Sequence, residues 1–151
     1  MNIKRQFKAA PIAVAVLLAG LSTSSAAAVR TVSPDQLPDY WILSASATEL
    51  NVPNSGLNLE KPGCASASYT IGSDGVPRDI KLEKVVPNSD LGMTVVEAVK
   101  NFRYRPSADN VGQQPVHTYY TAQFNMRNFS AERKARLTAA CDLPGYTRQK
   151  P

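Results

Sequence analysis

Few side chains of this 151-residue chain form a pattern that could carry out catalysis. His117 is the only histidine, and on the polar face of a predicted strand a histidine is more often solvated than a general base. No sequence pattern pairs a serine or cysteine with a general acid or base, which nucleophilic catalysis requires. Asp74 and Asp79 flank a predicted hairpin, but Asp74 belongs to the turn itself, which disfavours a paired-carboxylate site. We therefore predict a protein that is not an enzyme and that uses no cofactor and no metal.

The first residues, 1–28, have the features of a secretory signal peptide. A basic start precedes an apolar core of 13 residues, 9–21, and a run of small residues ends at Ala28. A membrane-spanning helix needs about 20 apolar residues, so cleavage is the preferred interpretation. Cleavage would lower the net charge from +5 to +2, which gives no reason to expect nucleic acid as a partner. We predict a periplasmic protein; an uncleaved inner-membrane anchor stays open, because residues 9–29 carry no charge.

The chain has two cysteines, Cys64 and Cys141, and export would place them in an oxidising compartment. A disulfide between them is therefore expected, and closing so long a loop stabilises a fold by about 4 kcal/mol on the chain-entropy account. Two unpaired buried thiols remain the alternative. A redox or zinc role is disfavoured, because such sites need closer cysteine spacing or more ligands.

Regular alternation of apolar and polar residues predicts two strands near the middle of the chain. Apolar residues occupy every second position over 65–71, and the alternation resumes from Ile80 until Pro87 stops it. The turn between them, 72–75, contains the Asp-Gly pair that tight hairpins favour. The two strands should therefore pair antiparallel.

A helix, a third strand and a closing helix are predicted to follow. Apolar residues from Leu91 to Phe102 recur at helical spacing after a capping segment, 88–90. A strand is expected over 117–126, and a last helix over about 131–141, capped by Ser130. The predicted fold is α+β: a three-stranded antiparallel sheet with one helix on one face, in the order β-β-α-β, and a C-terminal helix.

The residues ahead of this domain, 29–62, are predicted to be a lead-in segment, and the domain with its closing helix spans 63–146. The run 40–43 is either an edge strand or a packed lead-in. Its Trp41 is better explained as an anchor to the core than as a platform for a ligand. Arg103 and Arg105 alternate with aromatic residues, and a solvated strand face explains them better than binding to an anionic surface, which stays open.

The stretch 63–126 resembles the C-terminal domain of the TonB energy transducers. In that family a glycine leads into an alternating strand, an Asp-Gly hairpin, a second strand and a helix that exits into an aromatic residue just ahead of proline. A glycine and a Pro-Val pair then open the last strand. The matching residues are Gly63, Ala65, Ala67, Tyr69, Ile71, Asp74, Gly75, Ile80, Leu82, Ala98, Val99, Phe102, Tyr104, Pro106, Gly112, Pro115, Val116 and Phe124.

This resemblance implies a periplasmic module that binds proteins in TonB-dependent transport. Family members add a short extended segment of an outer-membrane transporter to the edge of their sheet, where unpaired backbone groups are available. We predict the third strand as that edge and an outer-membrane transporter or other envelope protein as the partner. The partner-binding residues are then those of its polar face: His117, Tyr119, Thr121, Gln123 and Asn125.

The alternative is a structural or regulatory envelope protein that acts by self-association, as a homodimer, without energy transduction. The sequence predicts no nucleic-acid partner in either case, and membrane contact only if the N-terminal segment stays uncleaved.

Overall fold

A computed structural model describes residues 29–45 and 52–146 of the chain. The predicted signal peptide lies outside the described residues. No helix within these two ranges has the length and apolar character needed to cross a membrane. The elements are β1 (Arg30–Thr31), a short 3-10 helix (Leu37–Asp39), β2 (Trp41–Ala45), β3 (Gly63–Ile71), β4 (Pro77–Val86), α1 (Leu91–Lys100), β5 (Arg103–Pro106), β6 (Val116–Phe124) and α2 (Ala131–Ala139).

The strands of this part of the chain form two sheets, of four and two strands. In the larger sheet the order is β1-β6-β3-β4, with β3 antiparallel to both of its neighbours and β1 parallel to β6. The smaller sheet pairs β2 with β5. The α+β class is therefore confirmed, and the predicted three-stranded antiparallel sheet is wrong. Strands as short as β1 and β5 show too few residues for an alternating pattern to appear.

The front face of the larger sheet packs against α1. The alternation predicted for β3 is present, and its front-facing residues Ala67, Tyr69 and Ile71 are at most 1% exposed. Val95 and Val99 of α1 are fully buried against them. Gly92 lets the helix lie close, because a Cβ there would collide with the side chains of Leu82 and Val85 in β4.

The back face of the sheet is covered in part by the C-terminal residues. The disulfide between Cys64 and Cys141 is present, as predicted, and it joins β3 to the residue that follows the C-cap of α2. The hydroxyl of Ser66 donates to the backbone carbonyl of Cys141 at 2.6 Å, so this polar strand residue is fully buried. Ser130 caps α2, as predicted, by accepting from the backbone N–H of Arg133. The strand β3 is thus buried on both faces.

The smaller sheet is joined to the β3–β4 hairpin by a glycine. The backbone N–H of Tyr104 in β5 donates to the carbonyl of Gly75, 2.9 Å away. Gly75 has a positive φ of 74°, the left-handed conformation that favours glycine. Trp41 of β2 is 1% exposed, and its indole N–H donates to the carbonyl of Gln114. The prediction that Trp41 anchors its segment to the core is confirmed.

Candidate functional site

The strand β6 has one paired side and one side that is mostly unpaired. Its inner side pairs with β3 along the whole strand. On the outer side β1 reaches only Val116 and His117, and the last bond runs from the Val32 N–H to the His117 carbonyl, 2.9 Å. Because the backbone groups of a strand alternate between its two sides, every second residue after His117 points outward as His117 does.

The outward-pointing residues are Tyr119, Thr121 and Gln123. Within residues 29–45 and 52–146 no backbone hydrogen bond reaches their N–H and C=O groups from the outer side. We call the outer side of β6 over 119–123 the free edge. It offers a row of donors and acceptors that another strand can complete.

Pro34 limits how far β1 can pair with β6. In the parallel register of β1 and β6, the residue two positions after Val32 would donate its N–H to the carbonyl two positions after His117. That residue is Pro34, which has no N–H to donate. The Tyr119 carbonyl therefore receives no bond from residue 34, and the chain turns at this point, where the Ser33 carbonyl accepts from the N–H groups of Gln36 and Leu37.

The opposite edge of the larger sheet is poorly suited to pairing. Its strand β4 carries two irregularities in its pairing with β3, and Asp79 in one of them has a φ of 52°. Charged side chains follow one another along the strand: Arg78, Asp79, Lys81, Glu83 and Lys84. Bulges and charges of this kind are the usual means by which an edge strand avoids other chains. The contrast makes the free edge of β6 the candidate site.

An apolar groove of about 410 Å³ borders the free edge on the front face. The Tyr120 ring is 36% exposed and meets the Phe102 ring edge-on, with centroids 5.2 Å apart. Leu43 of β2 is 45% exposed and lines the same groove. We define the apolar groove by the residues Pro34, Leu37, Leu43, Phe102, Tyr104 and Tyr120.

A second cavity, of about 520 Å³, borders the free edge on the back face. The rings of Tyr119 and Tyr146 pack edge to face there, with their centroids 4.8 Å apart. Burial raises the pKa of Tyr119, and the carboxylates of Asp142 and Asp35, which line the same cavity, add to the rise. Among the described residues no ion pair involves either carboxylate. We define the acidic pocket by Asp35, Tyr119, Asp142, Leu143 and Tyr146.

The structure places two of the predicted partner-binding residues beside the C-terminal residues on the back face. His117 is half-buried: its Nδ1 lies 3.0 Å from the Thr70 hydroxyl and its Nε2 lies 2.7 Å from the Tyr146 hydroxyl. Thr121 lies 2.6 Å from the Ser66 hydroxyl, which donates elsewhere, so Thr121 donates to it. The polar face of β6 is therefore partly covered here, and His117, for which the sequence favoured a solvated side chain, is half-buried.

The other three predicted residues have different positions. Tyr119 lies on the free edge, with its ring in the acidic pocket. Gln123 lies at the far end of the free edge and is exposed. Asn125 lies beyond the end of β6 with a φ of 55°, and its amide donates to the carbonyls of Leu59 and Lys61. Partner binding by all five residues stays a prediction.

Sequence reasoning missed the residues that line the two cavities. Tyr120 was given no role, and Phe102 was predicted only as the last apolar residue of the helix and as a residue shared with TonB domains. Leu43, Asp35 and Asp142 come from distant parts of the chain, and no local pattern marks them. Their grouping depends on β2 pairing with β5 and on the disulfide, which brings the C-terminal residues over the sheet.

The basic residues near α2 lie at the far end of the free edge, beside Gln123. Arg127 and Lys134 line a cavity of about 570 Å³ with Gln123 and Asn125. The Arg133 guanidinium lies over the Phe129 ring, 4.0 Å from its centroid. In β5, Arg103 and Arg105 are exposed and Tyr104 between them is buried, in agreement with the predicted solvated strand face.

No protein-family model and no curated protein matches this chain. Among solved structures, the TonB C-terminal domain of Pseudomonas aeruginosa, determined in solution by NMR, is a weak neighbour. The match covers 50% of this chain and 89% of that domain, with 18% identity and a TM-score of 0.34. The membership in the TonB family that the sequence suggests therefore stays a prediction.

Proposed function

We propose that this protein is a periplasmic binding module that takes up an extended segment of an envelope protein by strand addition at the free edge. The observation that carries the proposal is the free edge itself, open over 119–123 and bordered by a cavity on each face. Main-chain hydrogen bonds provide affinity in this mode of recognition, and cavities for alternate side chains provide specificity. The protein acts by binding and not as an enzyme.

The geometry of the free edge supports strand addition over other modes of binding. Tyr119, Thr121 and Gln123 each present one N–H and one C=O in the plane of the sheet. These groups are already held in line by the pairing of β6 with β3, so an incoming strand need not order them. The front and back cavities leave space beside the edge, which a covering helix or loop would otherwise occupy.

The proposed partner is an outer-membrane transporter or another envelope protein. The signal-like start of the sequence supports an exported protein, and the Cys64–Cys141 disulfide is a bond that oxidising compartments maintain. The resemblance of the stretch 63–126 to TonB C-terminal domains supports the class of partner. The proposal links the protein to transport across the outer membrane through this binding step.

Amide hydrogen exchange tests strand addition directly. We expect the amides of Tyr119, Thr121 and Gln123 to exchange quickly in the free protein and to become protected when a peptide from the N-terminal segment of a transporter binds. The amides of Tyr120 and Ala122 bond to β3 and serve as internal controls, because they are protected in both states. If a peptide binds without this alternating gain of protection, the protein binds it by another mode and the proposal is wrong.

The same edge favours one second candidate, self-association without energy transduction. Two copies could pair their β6 strands antiparallel, which would cover the exposed rings and side chains of Tyr120 and Leu43 in both. Sedimentation over a range of protein concentrations distinguishes the two candidates. A stable dimer in which the amides of Tyr119, Thr121 and Gln123 are protected without any peptide would favour self-association. A monomer in which these amides exchange quickly would favour a separate partner.

A further inference from the structure

The cavities on the two faces of the sheet beside the free edge differ chemically: the front one is apolar and the back one is acidic. Successive side chains of a strand point to opposite faces of its sheet. A segment paired with the free edge would therefore place one residue in the apolar groove, the next in the acidic pocket, and so on in alternation. The residues opposite Tyr120 would point to the front, and those opposite Tyr119 and Thr121 would point to the back.

The front side fits an apolar residue. Leu43 and Tyr120 are large apolar side chains left 45% and 36% exposed at the mouth of the groove. Phe102 and Tyr104 behind them are 5% and 8% exposed, so aromatic rings line the interior of the groove. An aliphatic or aromatic side chain placed there would remove these surfaces from water, which is the main source of favourable free energy in such contacts.

The back side fits a cation. Asp35 and Asp142 reach the pocket from two different segments, and within 29–45 and 52–146 neither forms an ion pair. Lys84 lies near Asp142, but its ammonium donates to the backbone carbonyl and not to the carboxylate. The rings of Tyr119 and Tyr146 offer faces to a long basic side chain, whose methylene stem packs on rings while its head reaches a carboxylate.

We propose that the partner segment alternates apolar and polar residues, with its apolar side chains in the apolar groove and a lysine or arginine in the acidic pocket. This inference rests on the proposed function, because it presumes that a strand pairs with the free edge. It adds a chemical pattern by which partner segments can be selected, since an acidic residue at the same position would meet Asp35 and Asp142.

Synthetic capped peptides long enough to cover 119–123 test the pattern. They alternate valine with threonine except at one central polar position, which carries lysine in the first peptide, glutamate in the second and serine in the third. We expect the lysine peptide to bind about tenfold tighter than the serine peptide and the glutamate peptide to bind weakest, with the preference shrinking as salt is raised. Calorimetry measures the affinities, and amide exchange of Tyr119, Thr121 and Gln123 confirms that each peptide uses the free edge.

Variants assign the preference to the two cavities. The double variant Asp35→Asn/Asp142→Asn should abolish the preference for lysine over serine while leaving the serine peptide unchanged. The matched control Glu97→Gln/Asp109→Asn removes two exposed carboxylates that line neither cavity, and it should keep the preference. Leu43→Ser should weaken all three peptides about fivefold, whereas Val111→Ser, at a side chain 84% exposed elsewhere, should weaken none.

The outcomes separate this inference from the proposed function. If the three peptides bind equally with the alternating protection of 119–123, strand addition stands and the basic preference is wrong. If the preference survives Asp35→Asn/Asp142→Asn, the acidic pocket does not hold the cation and the inference is wrong. If no peptide protects the amides of Tyr119, Thr121 and Gln123, both the inference and strand addition are wrong.

Discussion

Tyr69 and Tyr104 share a hydrogen bond in the core behind the apolar groove, with their hydroxyl oxygens 2.6 Å apart. Their rings are 1% and 8% exposed, and each hydroxyl depends on the other for a partner. Burial raises the pKa of Tyr104 to about 12 and raises that of Tyr69 well beyond the usual range of tyrosine. Neither ring can ionise in the folded protein at a pH where an unfolded tyrosine does.

The pair predicts a loss of stability in alkali. An unfolded tyrosine releases its proton near pH 10, whereas these two keep theirs when folded, so the free energy of unfolding falls as pH rises above about 10. The stabilisation by the neutral pair is complete below that pH and is lost progressively as pH approaches the folded pKa of Tyr104, about 12. Urea denaturation at increasing pH measures the slope. The double variant Tyr69→Phe/Tyr104→Phe should flatten it, and an unchanged slope would contradict the assignment.

At the scale of elements, the strands and helices with long regular patterns could be predicted from sequence. β3, β4 and α1 carry alternation or helical spacing over many residues, and Ser130 marks the start of α2. β1 could not be predicted, because two residues show no period and its parallel pairing with β6 depends on the whole sheet. The same limit applies to the site: the polar residues of β6 are visible locally, but Asp35 and Asp142 meet only after folding.

We expect the position of α2 on the back face to depend on the Cys64–Cys141 disulfide. α2 has no buried residue of its own, so packing contributes little to holding it on the back face. Replacing both cysteines by alanine should lower the free energy of unfolding by about 4 kcal/mol, since the bond closes a loop across a separation of 77 residues. Urea denaturation measures the change, and the unaltered protein under reducing conditions is the control. A loss below about 1 kcal/mol in both would mean that the back face holds without the bond.

At the scale of the whole molecule, the two sheets depend on Gly75 for their junction. An added Cβ at Gly75 would collide with the carbonyl oxygen of Tyr104, and alanine disfavours the φ of 74°. Gly75→Ala should lower the free energy of unfolding by about 2–4 kcal/mol. Gly112→Ala is the matched control, because its Cβ would meet only the Gln114 side chain at 4.0 Å. Fluorescence of Trp41, the single tryptophan, reports the smaller sheet; equal stability of the two variants would contradict the prediction.

β1 and a partner segment would pair with the same side of β6, and the missing N–H of Pro34 limits how much of that side β1 can occupy. A strand on the same chain is present at a high effective concentration, so a β1 that paired further along β6 would exclude any free peptide. In Pro34→Val the new N–H should donate to the Tyr119 carbonyl, and the Thr121 amide, which faces the carbonyl of residue 34 in that register, should become protected with no peptide present. Pro53→Val, at an exposed proline elsewhere, should leave that amide unchanged. Fast exchange of the Thr121 amide in Pro34→Val would show that another feature ends β1, whereas slow exchange would show that this proline keeps the edge of β6 available to a partner.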